Sequence, residues 1–555
     1  MRAGIGHAAV MIGVITVASR LVGFGRQVVF AHSVGTTCLG TAYTTANMAP
    51  NIIYNIAAGG ALSAIVVPVL AGSGGTGDGT GADEEGAARA SRIASALLTW
   101  TVLLLLPVSA GVALLAHPLT GALLGHAAGC SRAEMSGIAG RMLIVFAPQV
   151  LLYGIAVVLY GILQAHRRFG GPAVAPLLSS LVVVGTYAAF GATGGAYVNR
   201  LGSLPALPEY LLSGGTTLGV LAMVAAAAVP AWRMRLRLRP AVRFPPGVAS
   251  RVLRLAVAGV LTLLAQDAST AVVVVLANRY GAPGTLVIYG FAWAVFVVPY
   301  AVLAVPIATS AFPELSSRSG TGSAASQPDP GPDSPDPDGS AFAATSAAST
   351  RAVLIVSWLG AAALIGARIP LARVFEDDSS ASASALAAGL AAFAPGLIGY
   401  GLSANLSRVL YAHGRNRAPA FAVSLGWALV IAADVAVVPL VPRPWVVPAL
   451  GACASLGMTV AGVVLLVMVR RVRGPGALAG VARAAAAGLA GCVAGAAAGA
   501  VAAALLAGGG LAVNVALSAG VCVLIAAVFG VIVWNADGGV LRATLTRLRT
   551  RVPAG

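Results

Sequence analysis

Long apolar runs separated by short polar ones dominate the chain. A run of about 20 apolar residues is long enough to cross a bilayer as a helix. Fourteen such runs can be placed, at 8–33, 42–71, 93–116, 139–165, 173–195, 210–231, 252–278, 284–313, 351–371, 386–412, 418–441, 445–469, 484–507 and 511–534. The pattern predicts an all-α polytopic membrane protein of about 14 transmembrane helices. Pro50, Pro148, Pro299 and Pro395 fall inside spans; such kinks are tolerated where neighbours or water satisfy the freed backbone groups. The last two spans are rich in Ala and Gly (GLAGCVAGAAAGAVAAALL), a composition that lets helices approach closely. Two stretches break the pattern. Residues 72–92 are Gly-rich around Asp83-Glu84-Glu85, and 316–349 contain QPDPGPDSPDPDGS. Both are too polar to pack and are expected to be disordered linkers.

Composition removes the soluble alternatives. The 555 residues would suffice for two or three soluble domains. Hydrophobic residues make up 58% and charged residues 9%, against about a quarter charged in a soluble domain, and mean hydropathy is +0.90. The net charge is +17, and all 34 basic residues are Arg. Codon usage in a GC-rich genome accounts for that, so the charge does not point to nucleic acid. With the N-terminus in the cytoplasm, 24 Arg fall in cytoplasmic segments and seven on the opposite side, a bias that predicts both termini inside. The densest stretch, WRMRLRLRPAVRF at 232–244, reads as a positive-inside anchor or as an element lying on anionic lipid. The five Cys show no metal spacing, so neither a zinc site nor a disulfide framework is expected. Arg20 and Arg26 interrupt the first apolar run, which does not read as a cleavable signal.

Self-comparison exposes an internal repeat. At an offset of 247, Phe146-Ala147-Pro148 matches Phe393-Ala394-Pro395, Tyr153-Gly154 matches Tyr400-Gly401, and Leu163, Ala165-His166 and Arg168 match Leu410, Ala412-His413 and Arg415. At an offset near 246, Ala31, Gly35 and Tyr43 match Ala277, Gly281 and Tyr289. Six spans repeat as six, so the copies run parallel and are expected to be related by a pseudo-twofold along the membrane normal. This divides the chain into an N-terminal lobe (1–231), a basic linker (232–251), a C-terminal lobe (252–469, with the loop 316–349), two further spans (484–534) and a basic tail (535–555).

VASRLVGFGRQVVFAHSVGT, followed by AYTTANMAPNIIYNIAAGGALSAIVVPVL, resembles the opening of the MurJ/MviN lipid II flippase family. YGILQAHRRFGGPAVAP and VLYAHGRNRAP resemble that family's repeated mid-lobe motif, and IYGFAWAVFVVPYAVLAVPIATSAFPELS its eighth helix. The resemblance implies export of an undecaprenyl-diphosphate-linked peptidoglycan precursor across the inner membrane by alternating access, with no covalent chemistry. It also implies that spans thirteen and fourteen flank a groove for the lipid tail. Thr41 stands where many members carry an acid. Tyr54-Asn55 and Phe291-Ala292 stand where many carry Arg.

Charges inside a membrane cost about 2.5–3.5 kcal/mol on insertion scales, so each calls for a role or a partner. Arg20 and Arg26 flank Gly23 and Gly25 on span one. Guanidinium groups bind phosphate oxygens in bidentate fashion, and these two are the candidates for the substrate diphosphate; the alternative is that they snorkel or bond backbone carbonyls. Asp267 on span seven and Asp434 on span eleven are the acids deepest in the membrane. The resemblance implies a sodium site at these two positions, with Ser455 or Thr459 as further oxygens and Val430 in place of an Asn ligand. A shared proton would serve equally for coupling, and an ion pair with Arg408 is the structural alternative. His166 and His413, which match in the repeat, read as helix caps. No other cofactor is expected. The partners expected are the lipid-linked saccharide, the bilayer and cell-wall synthesis proteins. Two rival functions remain: a non-transporting family relative acting as a wall-synthesis scaffold, and a drug/cation antiporter.

Overall fold

The computed structural model describes residues 2–56, 80–125, 130–166, 168, 170–234, 239–243, 248–317, 337–376, 380–415, 417–506 and 509–549, and every regular element among them is helical. By packing, the chain forms two compact units, Met1–Val287 and Ile288–Gly555. The first holds α1 (Arg2–Ser33), α2 (Cys38–Ile56), α3 (Thr80–Leu114), α4 (Ala116–Leu123), α5 (Arg132–Phe146), α6 (Pro148–Ala165), α7 (Gly170–Gly194), α8 (Ala206–Trp232) and α9 (Val248–Tyr280). Next come α10 (Thr285–Pro299), α11 (Val305–Ser317), α12 (Pro337–Gly366), α13 (Arg368–Phe375), α14 (Ser380–Phe393), α15 (Gly396–Ala412), α16 (Arg417–Val437), α17 (Val446–Arg473), α18 (Val481–Leu505) and α19 (Leu511–Arg549).

Ten helical segments among the described residues are long and apolar enough to span a membrane, or eleven if the bent pair Ala381–Phe393 and Gly396–Ala412 is one span. They coincide with expected spans three to six and eight to fourteen. The other three expected spans, 8–33, 42–71 and 252–278, each run into residues whose side chains or backbone lie outside the description.

In the first unit α7 packs against α1 and α8, α6 against α3 and α8, and α2 against α5. Ala156, Ala175, Val220 and Met223 form one core between them. Span seven belongs to the second repeat by sequence, yet α9 packs in this unit. Asn278 on α9 donates to Thr45 Oγ1 on α2 (2.9 Å) and to the Leu123 carbonyl at the end of α4 (3.1 Å). In the second unit α17 packs against α15 and α16, and α18 against α12 and α19.

The repeat is visible in the hydrogen bonding. At the end of α6 the Arg168 amide donates to the Leu163 carbonyl at 2.8 Å, and at the end of α15 the Arg415 amide donates to Leu410 at 3.0 Å. These are matching six-to-one bonds of a helix C-terminus, the second made through Gly414 at φ +73°. His166 and His413 are the respective C-cap residues, as expected. Both Phe-Ala-Pro motifs break a span: α5 ends at Phe146 before Pro148, and α14 ends at Phe393 before Pro395, where the bend is 45°. A serine from another helix holds each break. Ser109 on α3 donates to the Ala147 carbonyl (2.7 Å). Ser455 on α17 donates to Ala392 (2.7 Å) and accepts from the Gly396 amide (3.0 Å).

Three expectations need correction. Residues 80–92 are helical, because α3 starts at Thr80; Asp83, Glu84 and Glu85 lie near its start, where the helix dipole favours acids. Residues 337–349 are helical too: α12 starts at Pro337, a residue suited to a first turn, and its Ala-rich sequence has high helix propensity. Phe342 in that stretch is fully buried beneath the Arg473 guanidinium. The rest of the two expected linkers, 72–79 and 318–336, lies outside the described residues. Third, Cys38 and Cys130 form a disulfide. They stand 92 positions apart in the sequence, and with no other pair, spacing alone carries no signal for the bond. In the basic stretch, residues 235–238 lie outside the description, while 239–242 lie along α3: the Arg239 and Ala241 amides donate to Ser95 and Thr99, and Trp100 donates to the Val242 carbonyl.

Small residues carry the helix crossings of the second unit. A methyl group on Gly399 would meet the Met458 carbonyl and the Cα of Thr459, both backbone. Gly399→Ala should therefore cost about 1–3 kcal/mol of stability, read as a lower thermal unfolding temperature in detergent. Gly185→Ala, where a methyl meets nothing within 4 Å, should leave it unchanged.

Candidate functional site

Helix α1 carries both candidate anion-binding residues. Six helical residues place Arg20 and Arg26 about 120° apart around its axis. Arg20 is exposed and Arg26 half-buried. Among the described residues neither makes a hydrogen bond or an ion pair. By contrast Arg141, on α5, is committed to Glu209 on α8 through two bonds of 2.8 Å.

Arg26 sits beside an aromatic cluster, and its charge acts on the Tyr43, Tyr153 and Tyr187 phenols. Tyr43 (α2) and Tyr187 (α7) share a hydrogen bond of 2.9 Å, and Tyr43 reaches Thr216 Oγ1 on α8 at 2.8 Å. Phe30 packs edge-on to Tyr187 and Phe146 edge-on to Tyr43. Three helices thus fix the surroundings of Arg26, whereas Arg20 projects freely.

Thr41 is buried and structural: its hydroxyl donates to the Thr37 carbonyl (2.9 Å) and accepts from the Gly284 amide (2.8 Å). Tyr54 packs on Tyr153. Phe291 and Ala292 are buried, and Phe291 stacks on Phe375.

The two carboxylates belong to different units and have different surroundings. Asp267 on α9 is 3% exposed; one oxygen accepts from Asn55 Nδ2 at 3.3 Å, and the other is buried with no partner among the described residues. Asp434 on α16 is completely enclosed. Neither of its oxygens accepts from an N–H or O–H group among the described residues. The Cys453 thiol lies beside it, and its charge acts on Tyr289.

Arg408 is not its ion-pair partner. That guanidinium turns back along α15 to donate to the Ala404 carbonyl (2.6 Å) and acts on Tyr300 and Tyr411. Nor is Ser455 free to bind an ion, since its hydroxyl holds the break before Gly396. Thr459 is exposed, and Val430 is buried where Gly457 crosses it. Among the described residues no group of three or more His, Cys, Asp or Glu could hold a metal. Asp434 nevertheless offers hard oxygen donors with open valence, which fits a small hard cation or a proton.

His413, just past α15, accepts at Nδ1 from Arg473 (2.9 Å). Burial, and then the charges of Arg473 and Arg415, hold its imidazole below the usual histidine range. It is neutral at pH 7, as the acceptor role at Nδ1 requires, and serves as a cap.

The chain matches the family model "Lipid II flippase MurJ" over residues 30–527. The chain belongs to the MurJ lipid II flippase family. Its fold is similar to that of a lipid II flippase MurJ solved in an inward closed conformation, with 17% identity, a TM-score of 0.69, and coverage of 95% of this chain and 99% of that one. It is also similar to an inward-facing multidrug-resistance MATE transporter of the MOP superfamily (13% identity, TM-score 0.60, 83% of this chain and 98% of that one). An outward-facing MATE transporter of the same superfamily matches with 13% identity and a TM-score of 0.55, over 85% of this chain and 96% of that one. This is a multi-pass membrane protein, and Arg20 and Arg26 lie just ahead of the matched range. Sequence reasoning overlooked the tyrosines around Arg26, although Tyr43 and Tyr153 were both visible as repeat-matched residues.

Proposed function

We propose that this chain carries lipid II, or a close lipid-linked saccharide, from the inner to the outer face of the cytoplasmic membrane by alternating access. The observation that carries the reading is the pair of guanidinium groups on α1 of a MurJ family member that have no ion-pair partner among the described residues. An anion with several oxygens, such as a diphosphate, answers both. Arg20 is exposed and can follow the ligand, while Arg26 lies beside the hydrogen-bonded Tyr187–Tyr43–Thr216 chain, on whose phenols its charge acts. Coupling runs through Asp267 and Asp434, each of which takes up a proton or a cation; a buried carboxylate without a compensating charge is too costly to persist ionised. No residue arrangement here requires a covalent step.

Both termini lie in the cytoplasm in this reading, and two independent arguments agree on it. The Arg bias is one. The other is the disulfide: Cys38 follows span one and Cys130 follows span three, so both fall on the side opposite the N-terminus. Disulfides persist on the oxidising side of that membrane.

The test is replacement of an essential lipid II flippase by this chain in a depletion strain. Surface exposure of the precursor should be sustained at the parental level. If the chain is present in the membrane and exposure still collapses, the flippase reading fails and the scaffold role takes its place.

A further inference from the structure

The two units contain matching pairs of stacked tyrosines. In the first, Tyr54 on α2 and Tyr153 on α6 lie with ring centroids 4.3 Å apart and planes at 37°. In the second, Tyr300 and Tyr400 on α15 lie 4.3 Å apart at 42°. The pairs are repeat mates: Tyr54 and Tyr300 differ by 246 positions, Tyr153 and Tyr400 by 247, the same offsets that align the rest of the lobes. Behind each lies a second matching pair, Tyr43–Phe146 and Tyr289–Phe393, both at 5.6 Å.

Three observations separate the front pairs from ordinary core packing. All four rings are half-buried, as Tyr289 is, whereas Tyr43, Phe146 and Phe393 are buried. None of the four hydroxyls makes a hydrogen bond among the described residues, while Tyr43 and Tyr187 bond each other. And each front pair has a guanidinium acting on it from a position the repeat does not dictate. Arg26 acts on Tyr153 and Arg408 on Tyr300, yet the repeat mates of Arg26 and Arg408 are Val272 and Gly161. The same combination of paired rings and a cation has been assembled twice from different residues. In the second unit Tyr300 also opens a π-helical turn, Tyr300–Ala304, a local widening that recurs at functional sites.

We propose that Tyr54–Tyr153 and Tyr300–Tyr400 are ring-binding platforms, one within each repeat, that take the C–H face of a pyranose in the lipid-linked headgroup. A pyranose is amphipathic in the way tyrosine is. Its C–H face packs against the electron-rich face of an aromatic ring, and its hydroxyls reach the phenol oxygens. Arg26 and Arg408, whose charges act on Tyr153 and Tyr300, would favour an anionic group next to the sugar. This inference rests on the flippase reading above and adds to it which part of the substrate is read by side chains other than the diphosphate-binding arginines.

The test uses the full chain in lipid nanodiscs and two probes, lipid II and undecaprenyl diphosphate, which shares the phosphates and tail but has no sugar. Tyr153→Leu and Tyr400→Leu should each weaken binding of lipid II about threefold to tenfold and leave undecaprenyl diphosphate unchanged. Tyr153→Phe and Tyr400→Phe keep the ring face but lose the phenol oxygen, and should weaken lipid II binding by only about twofold, less than the Leu variants do. Leu variants that bind lipid II like the parent overturn the proposal, as do Leu variants that lose both probes in equal proportion. A Leu variant that fails to fold leaves the Phe variants to decide: lipid II binding must weaken while undecaprenyl diphosphate binding does not, and Phe variants that bind both probes like the parent overturn the proposal. If the parent binds lipid II no better than undecaprenyl diphosphate, the platforms are excluded while the flippase reading stands. If it binds neither, both fall.

Discussion

Arg20→Ala should abolish transport while the protein still reaches the membrane in normal amount. A hydrogen bond to a charged group is worth about 1.5–3 kcal/mol, so loss of a bidentate phosphate contact weakens ligand binding by about tenfold to a hundredfold. Arg20 is exposed and makes no bond among the described residues, so no described contact is lost with it. Arg26→Ala should do less harm to binding, because the Tyr43 and Tyr187 hydroxyls remain in place around the vacated position. Arg20→Lys should restore function only in part: an ammonium carries the charge but lacks the planar fork. Binding of lipid II to purified variants, set against outward transport in cells, checks all three. Normal transport by Arg20→Ala would remove the diphosphate role.

Asp434→Asn should uncouple transport from its driving ion without unfolding the protein. The side chain is completely enclosed, with no N–H or O–H donor on its oxygens among the described residues, so the ionised form needs a cation or gives way to the acid. Asn has nearly the same shape and no charge, and the fold should tolerate it. The measurement is transport as a function of sodium at fixed pH and ionic strength, and then as a function of pH at fixed sodium. The parent should respond to one of the two, and Asp434→Asn to neither. With Val430 offering no oxygen and Ser455 occupied, sodium binding should be weak, and the response to pH the larger. A sodium response that survives Asp434→Asn together with Asp267→Asn would place the ion elsewhere.

The helical, repeated architecture was legible because it rests on one-dimensional signals. A bilayer demands long apolar runs, and Phe-Ala-Pro recurs at one offset and breaks a span each time. What was not legible depends on contacts between distant residues. Asp267 and Asp434 stood out as charges in apolar runs, but only the fold shows that Asn55 reaches the first and that Arg408 turns away from the second. Ser455 had a hydroxyl at a suitable depth for an ion; the break before Gly396 claims it. In sequence, Asp, Glu, Ser and Pro read as polar filler and lengthen the expected linkers, although at a helix start those same residues are favourable. The Cys38–Cys130 bond joins positions with no recognisable spacing.

That bond also restricts how the first unit can move. It fastens the start of α2 to the residue pair just before α5, where Ser131 caps the helix by accepting from the Glu134 amide. These two helix ends can turn or tilt only together. An alternating-access cycle that opened the first unit outward by parting α2 from α5 would have to stretch a covalent link, so the yielding seam must lie elsewhere. On the disulfide-bearing side, α2 and α5 travel as one body, and the freedom that admits or releases a headgroup belongs to the helices not tied to them.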